Sequence, residues 1–546
     1  MIKKLFNGEI NSITAAAIMV AGSSLASRLL GMLRDRILAG QFGAGDTLDI
    51  YYAAFRIPDL LFNLLILGAL SAGFIPIFTS LIKSPLAKVR SLFGQDNKEA
   101  WELTSNLLNI LGAALLLLCG LGVIFAPQIM KLVTPGFDAG KLASTISLTR
   151  IMFLSPIFLG ISGIFGGILQ SFKRFFVYSL APIFYNIGII IGALYLAPHY
   201  GVYGLAWGVV LGALLHLLVQ LPALISLGYK YKPIFNFKDK NLRAIGKMML
   251  PRAMSLATTQ INLLVTTGFA SALAGGSLAI FNFANNLQSF PIGIFGVSFA
   301  IAAFPALARL AGRNDQLVAG FSATARKILF FMVISTVLLI SLRAQIIRVV
   351  LGTGQFDWQA TVLTANALGI FAFSLFAQAV IPLQVRVFYA RHDSLTPFII
   401  GIFTDGLNVL LAWQLARPLG VAGLALAFSA SNVAYFILLW VWLRLAVGGL
   451  DEKNILLAVG KFCLAGLAAA LTVQGVKYSA VYFVNMNKVW GVFTQGALAG
   501  LAGLAVYLLI CYLLKADELL KILEVIRRRL PFKKVAAADQ GEAGGI

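Results

Sequence analysis

Apolar runs long enough to cross a lipid bilayer recur from one end of this chain to the other. A transmembrane helix needs about 20 such residues. Runs of this kind fall near 13–39, 50–82, 101–127, 144–170, 178–197, 203–227, 243–273, 279–309, 322–350, 360–389, 395–415, 421–446, 455–476 and 489–514. Lipid offers backbone N–H and C=O groups no partner, so each run is expected to be helical. The sequence therefore predicts an all-α polytopic membrane protein of about 14 spans. Charged residues make up 12% of the chain, where a soluble domain carries about 25%. The first run shows no small-residue cleavage site and reads as a retained helix rather than a signal peptide.

A net charge of +22 would point to nucleic acid in a soluble protein. Here its placement gives it another meaning. With the amino terminus inside and the spans alternating, 29 of the 43 Lys and Arg residues fall in inner segments. Among them are Lys3 and Lys4, the four between 83 and 98, Lys173 and Arg174, the six between 230 and 247, and the seven between 515 and 534. Eight fall on the opposite side: Arg36, Lys131, Lys141, Arg343, Arg348, Arg417, Lys477 and Lys488. This positive-inside asymmetry places both termini in the cytoplasm. The basic excess is chiefly a topology signal, with attraction to anionic lipid second. No nucleic-acid partner is expected.

The longest inner polar connection, 228–247, contains Tyr229-Lys230-Tyr231-Lys232-Pro233 and divides the chain into halves. An internal repeat supports the division. Gly201-Val202-Tyr203-Gly204-Leu205-Ala206 recurs as Gly420-Val421-Ala422-Gly423-Leu424-Ala425, each about twenty residues after a basic loop ending in proline. Those loops run from Lys173-Arg174 to Pro182 and from Arg391-His392-Asp393 to Pro397. Ala72-Gly73-Phe74-Ile75-Pro76 likewise resembles Ala302-Ala303-Phe304-Pro305. The copies keep the same order over an even number of spans, so an axis along the membrane normal should relate them. The expected parts are 1–228, a linker 229–247, a second half 248–447, two further spans in 448–514, and a basic tail 515–546 that begins as a surface helix. Glycines four apart at Gly163/Gly167, Gly188/Gly192 and Gly204/Gly208/Gly212 read as close-packing positions.

The segment 27–76 carries charge into the apolar runs. An arginine in a membrane helix costs about 2.5–3.5 kcal/mol on insertion scales, so it tends to face a bundle interior or a wet cavity. Arg28 and Asp35 stand seven apart near one helical face, with Gly31 between them and Arg34 beside Asp35. Two readings stay open: a neutralised ion cluster that locks two helices, or a cationic cavity for an anionic substrate. Arg56, Asp59 and Asn63 form a polar stripe on the second span, and Asn282, Asn285, Asn286 and Ser289 form one on the eighth. Such stripes face protein or water, either as interhelical glue or as substrate contacts. Pro251-Arg252 brings a further cation toward the same space, whereas Arg150 reads equally well as snorkelling to the interface. Guanidinium forks match phosphate oxygens, so several arginines at one centre suit a diphosphate or another strong anion. Asp405, with Thr404 and Asn408 nearby and Thr266 or Gln260 as partners, is a candidate cation or proton site, or equally a buried hydrogen-bonded acid.

Other chemistries find no support. Cys119, Cys463 and Cys511 lie in apolar runs without disulfide or zinc spacing, and His199, His216 and His392 are scattered. Walker A, HExxH, GxSxG and EF-hand patterns are missing, as is any nucleophile–base pair, so the chain is not expected to be an enzyme.

Taken as a set, several segments resemble the MurJ (MviN) lipid II flippases. They are Ser27-Arg28-x-x-Gly31-x-x-Arg34-Asp35, Phe42-Gly43-Ala44-Gly45, and Asp49 with Ala54-Phe55-Arg56-Ile57-Pro58. Further along come Thr134-Pro135-Gly136-Phe137, Leu205-Ala206-Trp207-Gly208 with Gln220-Leu221-Pro222, and Gln260-Ile261-Asn262. Phe388-Tyr389-Ala390-Arg391-x-Asp393-x-x-Thr396-Pro397 completes the set, and the resemblance runs over about 23–445. It implies the fold of the MOP exporter superfamily: two six-helix lobes, 1–228 and 248–447, related by pseudo-two-fold symmetry. Two added helices in 448–514 would form a groove for a polyprenyl tail. It also implies a function, moving undecaprenyl-diphosphate-linked peptidoglycan precursor from the inner to the outer leaflet of the bacterial cytoplasmic membrane by alternating access. Lipid II or a related polyprenyl-diphosphate saccharide is the implied partner, with cell-wall synthesis machinery beside it. No cofactor is expected, and coupling to Na+ or protons stays open, with Asp405, Asn408 and Thr266 as its candidate site.

On this resemblance Arg28, Arg34, Asp35, Asp49 and Arg56 occupy positions the family uses, and Asn63, Arg252, Asn282, Asn285 and Asn286 join them as substrate contacts. The chain also departs from the pattern. Phe62, Asn63 and Leu67 stand where the family commonly has basic and acidic residues, and Asn286, preceded by Asn285, stands where many members carry arginine. The second-half wall is therefore expected to be less basic, with Arg252 compensating. Three other functions compete. A relative could export a different polyprenyl-linked saccharide, and a drug or cation antiporter would favour an aromatic or acidic cavity. A non-transporting scaffold for cell-wall synthesis would leave the arginines dispensable.

Overall fold

The computed structural model describes residues 13–67, 73–83, 97–310 and 312–529, with side chains throughout except at 13–18, 20, 21, 250–252, 255 and 525–529. Lys3, Lys4, Lys88, Arg90, Lys533, Lys534, Ala72 of the repeat and the tail beyond 529 lie outside the described residues. Every regular element among the described residues is a helix. Ten are long and apolar enough to cross a membrane, and Trp358–Phe373 with Leu375–Ala390 makes an eleventh if taken as one span. Ile13–Phe42, Asp46–Phe62 and Lys240–Ser271 stand outside those ten. The sequence expectation of about 14 counts these three as spans. The first two carry most of the intramembrane charge, including Arg28, Arg34, Asp35, Asp49 and Arg56.

The first half runs α1 (Ile13–Phe42), α2 (Asp46–Phe62), α3 (Ile75–Lys83), α4 (Lys98–Ile124) and α5 (Ala126–Val133), then α6 (Ala139–Met152) and α7 (Leu154–Ser171), which together make one span of 33 residues. α8 (Phe175–Ile191) and α9 (Val202–Leu218) complete it. The second half runs α10 (Lys240–Ser271), α11 (Ser277–Pro291), α12 (Ser298–Arg309) and α13 (Asn314–Ser341), then the broken pair α14 (Trp358–Phe373) and α15 (Leu375–Ala390). α16 (Leu395–Leu419) and α17 (Val421–Val447) close that half, and α18 (Glu452–Ala480), α19 (Val489–Leu513) and α20 (Asp517–Arg529) follow.

The repeat read in the sequence extends to local geometry. α2 and α11 each run on into a π-helical turn, Asn63–Leu67 and Ile292–Val297. Thr134-Pro135-Gly136-Phe137-Asp138 and Thr353-Gly354-Gln355-Phe356-Asp357 each fold into a turn ending in a helix cap. The two caps are alike: Asp138 accepts the Lys141 N–H at 2.9 Å, and Asp357 accepts that of Ala360 at 2.7 Å. This copy was not read in the sequence, where only Thr and Phe-Asp keep register. The loops Lys173-Arg174 and His392-Asp393 form the same turn, with Arg174 N donating to Leu169 O and Asp393 N to Phe388 O. Gly201 and Gly420 sit at φ +57° and +59°, a region open to glycine at little cost, and each starts the helix that follows. Where α8 and the turn that continues it pack on α9, the backbones meet at glycines, Gly188 on Gly212 and Gly192 on Gly208; a Cβ on Gly188, Gly192 or Gly208 would overlap the facing glycine, and one on Gly212 would overlap Tyr185 O.

The helices gather into two compact units: Met1–Phe290 with Ile346–Ser374 and Leu395–Tyr435, and Pro291–Gln345 with Leu375–Ser394 and Phe436–Ile546. In the first, the inter-half linker is strapped to α4. Asn106 Nδ2 donates to Asn236 O at 2.9 Å while its Oδ1 accepts the Asn236 N–H at 2.7 Å. Asn109 donates to the carbonyls of Lys232 and Ile234 at 3.1 and 2.8 Å and accepts the Tyr231 hydroxyl at 2.8 Å. Residues 232, 234 and 236 alternate as in an extended chain, so side-chain amides supply what a neighbouring strand would. Tyr229 packs on Trp101, and burial pushes its hydroxyl above the usual tyrosine range. Asp239 then caps α10 by accepting the Leu242 N–H at 2.7 Å.

In the second unit, one stripe of α13 receives the C-terminal helices. Ser322 donates to Asp451 at 2.6 Å, Arg326 pairs with the buried Glu518 of α20 at 3.4 Å, and Phe330 O accepts the Tyr507 hydroxyl of α19 at 2.7 Å. Spacing of i, i+4, i+8 puts these three on one helical face. Two turns further on, Val333 and Val337 pack on Gly466 of α18.

Candidate functional site

The charged residues of α1 and α2 meet a polar stripe on α11, all within the first unit. On α1, Arg34 donates Nε and Nη2 to Asp35 Oδ1 at 3.0 and 2.8 Å, and Nη1 to Asn186 Oδ1 of α8 at 3.2 Å. Asn186 in turn donates to Ser27 Oγ and Pro182 O, which fixes it against α1. Gly31 lies beside this contact, but a Cβ there would sit 3.9 Å from Asn186 Oδ1, an ordinary contact, so the approach does not depend on glycine. The second oxygen of the buried Asp35 accepts Asn286 Nδ2 at 2.9 Å. Arg34, adjacent in sequence, is thus the partner of Asp35. Arg28, seven residues earlier, is exposed and, among the described residues, donates to Ser289 O at 3.4 Å.

Arg56 of α2 donates Nε to Thr267 Oγ1 of α10 at 3.0 Å and Nη2 to Asn282 Oδ1 at 2.7 Å. Asn282, Asn286 and Ser289 therefore meet Arg56, Asp35 and Arg28 in turn along one face of α11. Asn285 faces elsewhere and accepts Gln288 Nε2 at 2.9 Å. Asn63 folds back to donate to Asp59 O at 2.8 Å. Arg252 lies on α10, and its side chain is outside the described residues.

Asp49 has a different environment. Its carboxylate is 1% exposed and accepts the N–H groups of Gly276 and Ala279 at 2.8 and 3.0 Å, plus Lys141 Nζ at 3.1 Å. Gly276 precedes α11 and Ala279 is its third residue, so Asp49 supplies from α2 the acceptor that an N-cap side chain normally supplies locally. Lys141 also reaches Asp46 at 2.7 Å and stacks over the Phe137 ring.

A second polar cluster joins α10 and α16. Asn262 Nδ2 donates to Asp405 Oδ1, Asn408 Nδ2 donates to Asn262 Oδ1 at 2.6 Å, and Thr266 Oγ1 donates to Asn262 O at 2.9 Å. Asn408 Oδ1 is buried without a protein partner. The residue that reaches Asp405 is Asn262, with Thr266 behind it. Asn186, Thr267 and Lys141 were not singled out as site residues in the sequence. Asn186, the polar residue of an apolar run, carried the one available signal.

What the arginine face can do follows from its donors. Of the five N–H groups on each guanidinium, Arg34 commits three and Arg56 two, so both keep donors for an oxyanion. Arg28 is accessible to a ligand.

The chain resembles known proteins over most of its length. The family model "Lipid II flippase MurJ" matches residues 38–494. The probable lipid II flippase MurJ of Vibrio cholerae is 31% identical over 513 residues, 91% of this chain and 95% of that protein. The lipid II flippase MurJ of Burkholderia cenocepacia is 29% identical over 444 residues, 79% of this chain and 83% of that protein. A solved lipid II flippase MurJ in an inward closed conformation shares the fold, with a TM-score of 0.75 and 24% identity over 92% of this chain and 99% of that one. An inward-facing multidrug transporter of the MATE family, in the MOP superfamily, gives 0.64 and 18% over 78% and 96%. With the family model spanning most of the polypeptide and a relative 31% identical over 91% of it, this multi-pass membrane chain belongs to the MurJ family of lipid II flippases.

Proposed function

We propose that this chain moves lipid II, the undecaprenyl-diphosphate-linked peptidoglycan precursor, from the inner to the outer leaflet of the bacterial cytoplasmic membrane by alternating access. It does so as a transporter rather than a catalyst, with both termini in the cytoplasm. The observation that carries the reading is the set of three arginines with donors to spare: Arg28 and Arg56, which bond α11, and Arg34, which bonds Asp35 and Asn186. Together with Arg252 they hold the diphosphate, for which guanidinium forks are suited. Asp35 and Asp49 orient this wall. Asn63, Asn282, Asn285 and Asn286 serve sugar and peptide groups when their present partners release them. An apolar cavity of about 480 Å³ beside α18 and α19, lined by Thr472, Val476, Ala480, Phe483 and Leu498 among others, suits the polyprenyl tail. Asp405, Asn408 and Thr266, with Asn262, form the candidate site for Na+ or a proton, and the unpartnered Asn408 oxygen supports a cation there. Cell-wall synthesis enzymes are the natural neighbours of such a flippase.

The test is equilibrium binding of lipid II to the purified protein, in wild type and in Arg28→Ala/Arg34→Ala, with undecaprenyl diphosphate as competitor. Binding that the diphosphate competes and the double variant loses, by about a hundredfold for two charge-assisted contacts, is the expected result. Wild type that ignores lipid II but binds another polyprenyl-linked saccharide would move the chain to that substrate. Lipid II binding indifferent to the double substitution would move the site off these arginines.

A further inference from the structure

Arg56 and Asp59 stand three residues apart on α2, where opposite charges at i, i+3 are neighbours and would ordinarily pair. They do not pair. Arg56 reaches across to Thr267 on α10 and Asn282 on α11, both neutral and both buried. Half-buried Asp59 has no ion pair among the described residues, although the Arg56 charge acts on it. The guanidinium is thus held away from the acid on its own helix by dipoles that belong to two other helices.

We propose that Asp59 is a positioning residue that takes over Arg56 when α2 parts from α10 and α11. In the present arrangement Nη1 and one N–H of Nη2 stay available to an anionic ligand. Once Thr267 and Asn282 withdraw, the carboxylate one turn away competes with that ligand for the same donors. Affinity for an oxyanion then depends on the arrangement of the helices, and only such differential affinity lets a ligand and a conformational change drive each other. Asp59 is thereby a release device, and the inference rests on the reading of these arginines as diphosphate ligands.

The experiment uses the full chain, with undecaprenyl diphosphate binding measured in nanodiscs and lipid II flipping in proteoliposomes. Asp59→Asn keeps the shape and removes the competing charge. It should bind the diphosphate at least as tightly as wild type yet flip lipid II about tenfold more slowly, the worth of one charge-assisted contact. Asp59→Glu should restore most of the rate, which a merely structural role for Asp59 would not require. A wild-type rate in Asp59→Asn, weaker diphosphate binding in that variant, or an Asp59→Glu protein as slow as Asp59→Asn would overturn the inference. Wild type that binds no polyprenyl diphosphate would sink the substrate reading and this inference with it. Wild type that binds and flips beside an unaffected Asp59→Asn would sink the inference alone.

Discussion

Asp49→Asn should loosen the start of α11 while leaving its middle intact. The carboxylate accepts three donors, the N–H groups of Gly276 and Ala279 and the ammonium of Lys141. Both amides lie at a helix start, where no intrahelical carbonyl can serve them, so their protection depends on Asp49. Asparagine keeps one acceptor oxygen but turns an NH2 group toward a donor and removes the charge that faces Lys141 and the positive end of α11. Hydrogen bonds to charged groups are worth about 1.5–3 kcal/mol each, and breaking a buried ion pair costs about 3–5 kcal/mol. Lys141 retains Asp46, which is exposed, so the loss should come to about 3 kcal/mol, or about a hundredfold in local opening. Hydrogen exchange read by mass spectrometry over 274–281 should accelerate by that factor, with 283–289 unchanged. Lys141→Met, which spares both amide bonds, should give a smaller effect. Unchanged exchange at Gly276 and Ala279 in Asp49→Asn would refute the capping role.

Two further perturbations test the units separately. Asn106→Ala removes a reciprocal pair of bonds that hold the linker at Asn236, worth about 2 kcal/mol, so proteolysis and amide exchange across 229–239 should rise; a linker as protected as in wild type would mean that Asn109 and the packing of Tyr229 suffice. Glu518→Gln leaves Arg326 without its carboxylate, and because the pair is loose at 3.4 Å the cost should be about 2 kcal/mol rather than the full penalty for a buried charge; faster exchange across 517–524 is expected, and no change would show that α20 is held by its apolar residues.

The helical class and the glycine-marked turns were legible because lipid allows few solutions and because Gly201 and Gly420 occupy a backbone region that most side chains avoid; the compact units, which interleave segments from before and after the linker, were not. The arginines were legible for the same reason, since charge in a membrane helix needs a cause. Their partners were less so. Sequence spacing put Arg28 with Asp35, yet in the fold the adjacent Arg34 takes Asp35, because Asn186 enters from α8 beside Gly31 and turns that guanidinium. Asp49 read as a substrate residue, and in the fold it accepts from two backbone amides more than two hundred residues away, a contact that no periodicity encodes. The strap on α4 was missed because Ser105, Asn106 and Asn109 sit in an apolar run that otherwise reads as an ordinary span.

Charge is distributed across these contacts in a way that bears on how an anion could be moved. Among the described side chains and backbone groups of α10 and α11, those that meet the three arginines, Asp35 and Asp49 are neutral: Thr267, Asn282, Asn286, the Ser289 carbonyl and the amides of Gly276 and Ala279. An arginine at position 286 would pair with Asp35 and would also grip a bound diphosphate from the α11 side. The asparagine found there does neither. Separating α1 and α2 from α10 and α11 therefore breaks charge–dipole bonds of about 1.5–3 kcal/mol apiece rather than ion pairs. Arg28, Arg34 and Arg56 stay on α1 and α2 when the contacts part, so an anion held by these three travels with those helices, and its release from them needs more than α11 pulling away. A group on α1 or α2 that reclaims the donors would supply it, and Asp59, one turn from Arg56, under the influence of its charge and in no ion pair among the described residues, is placed to do it.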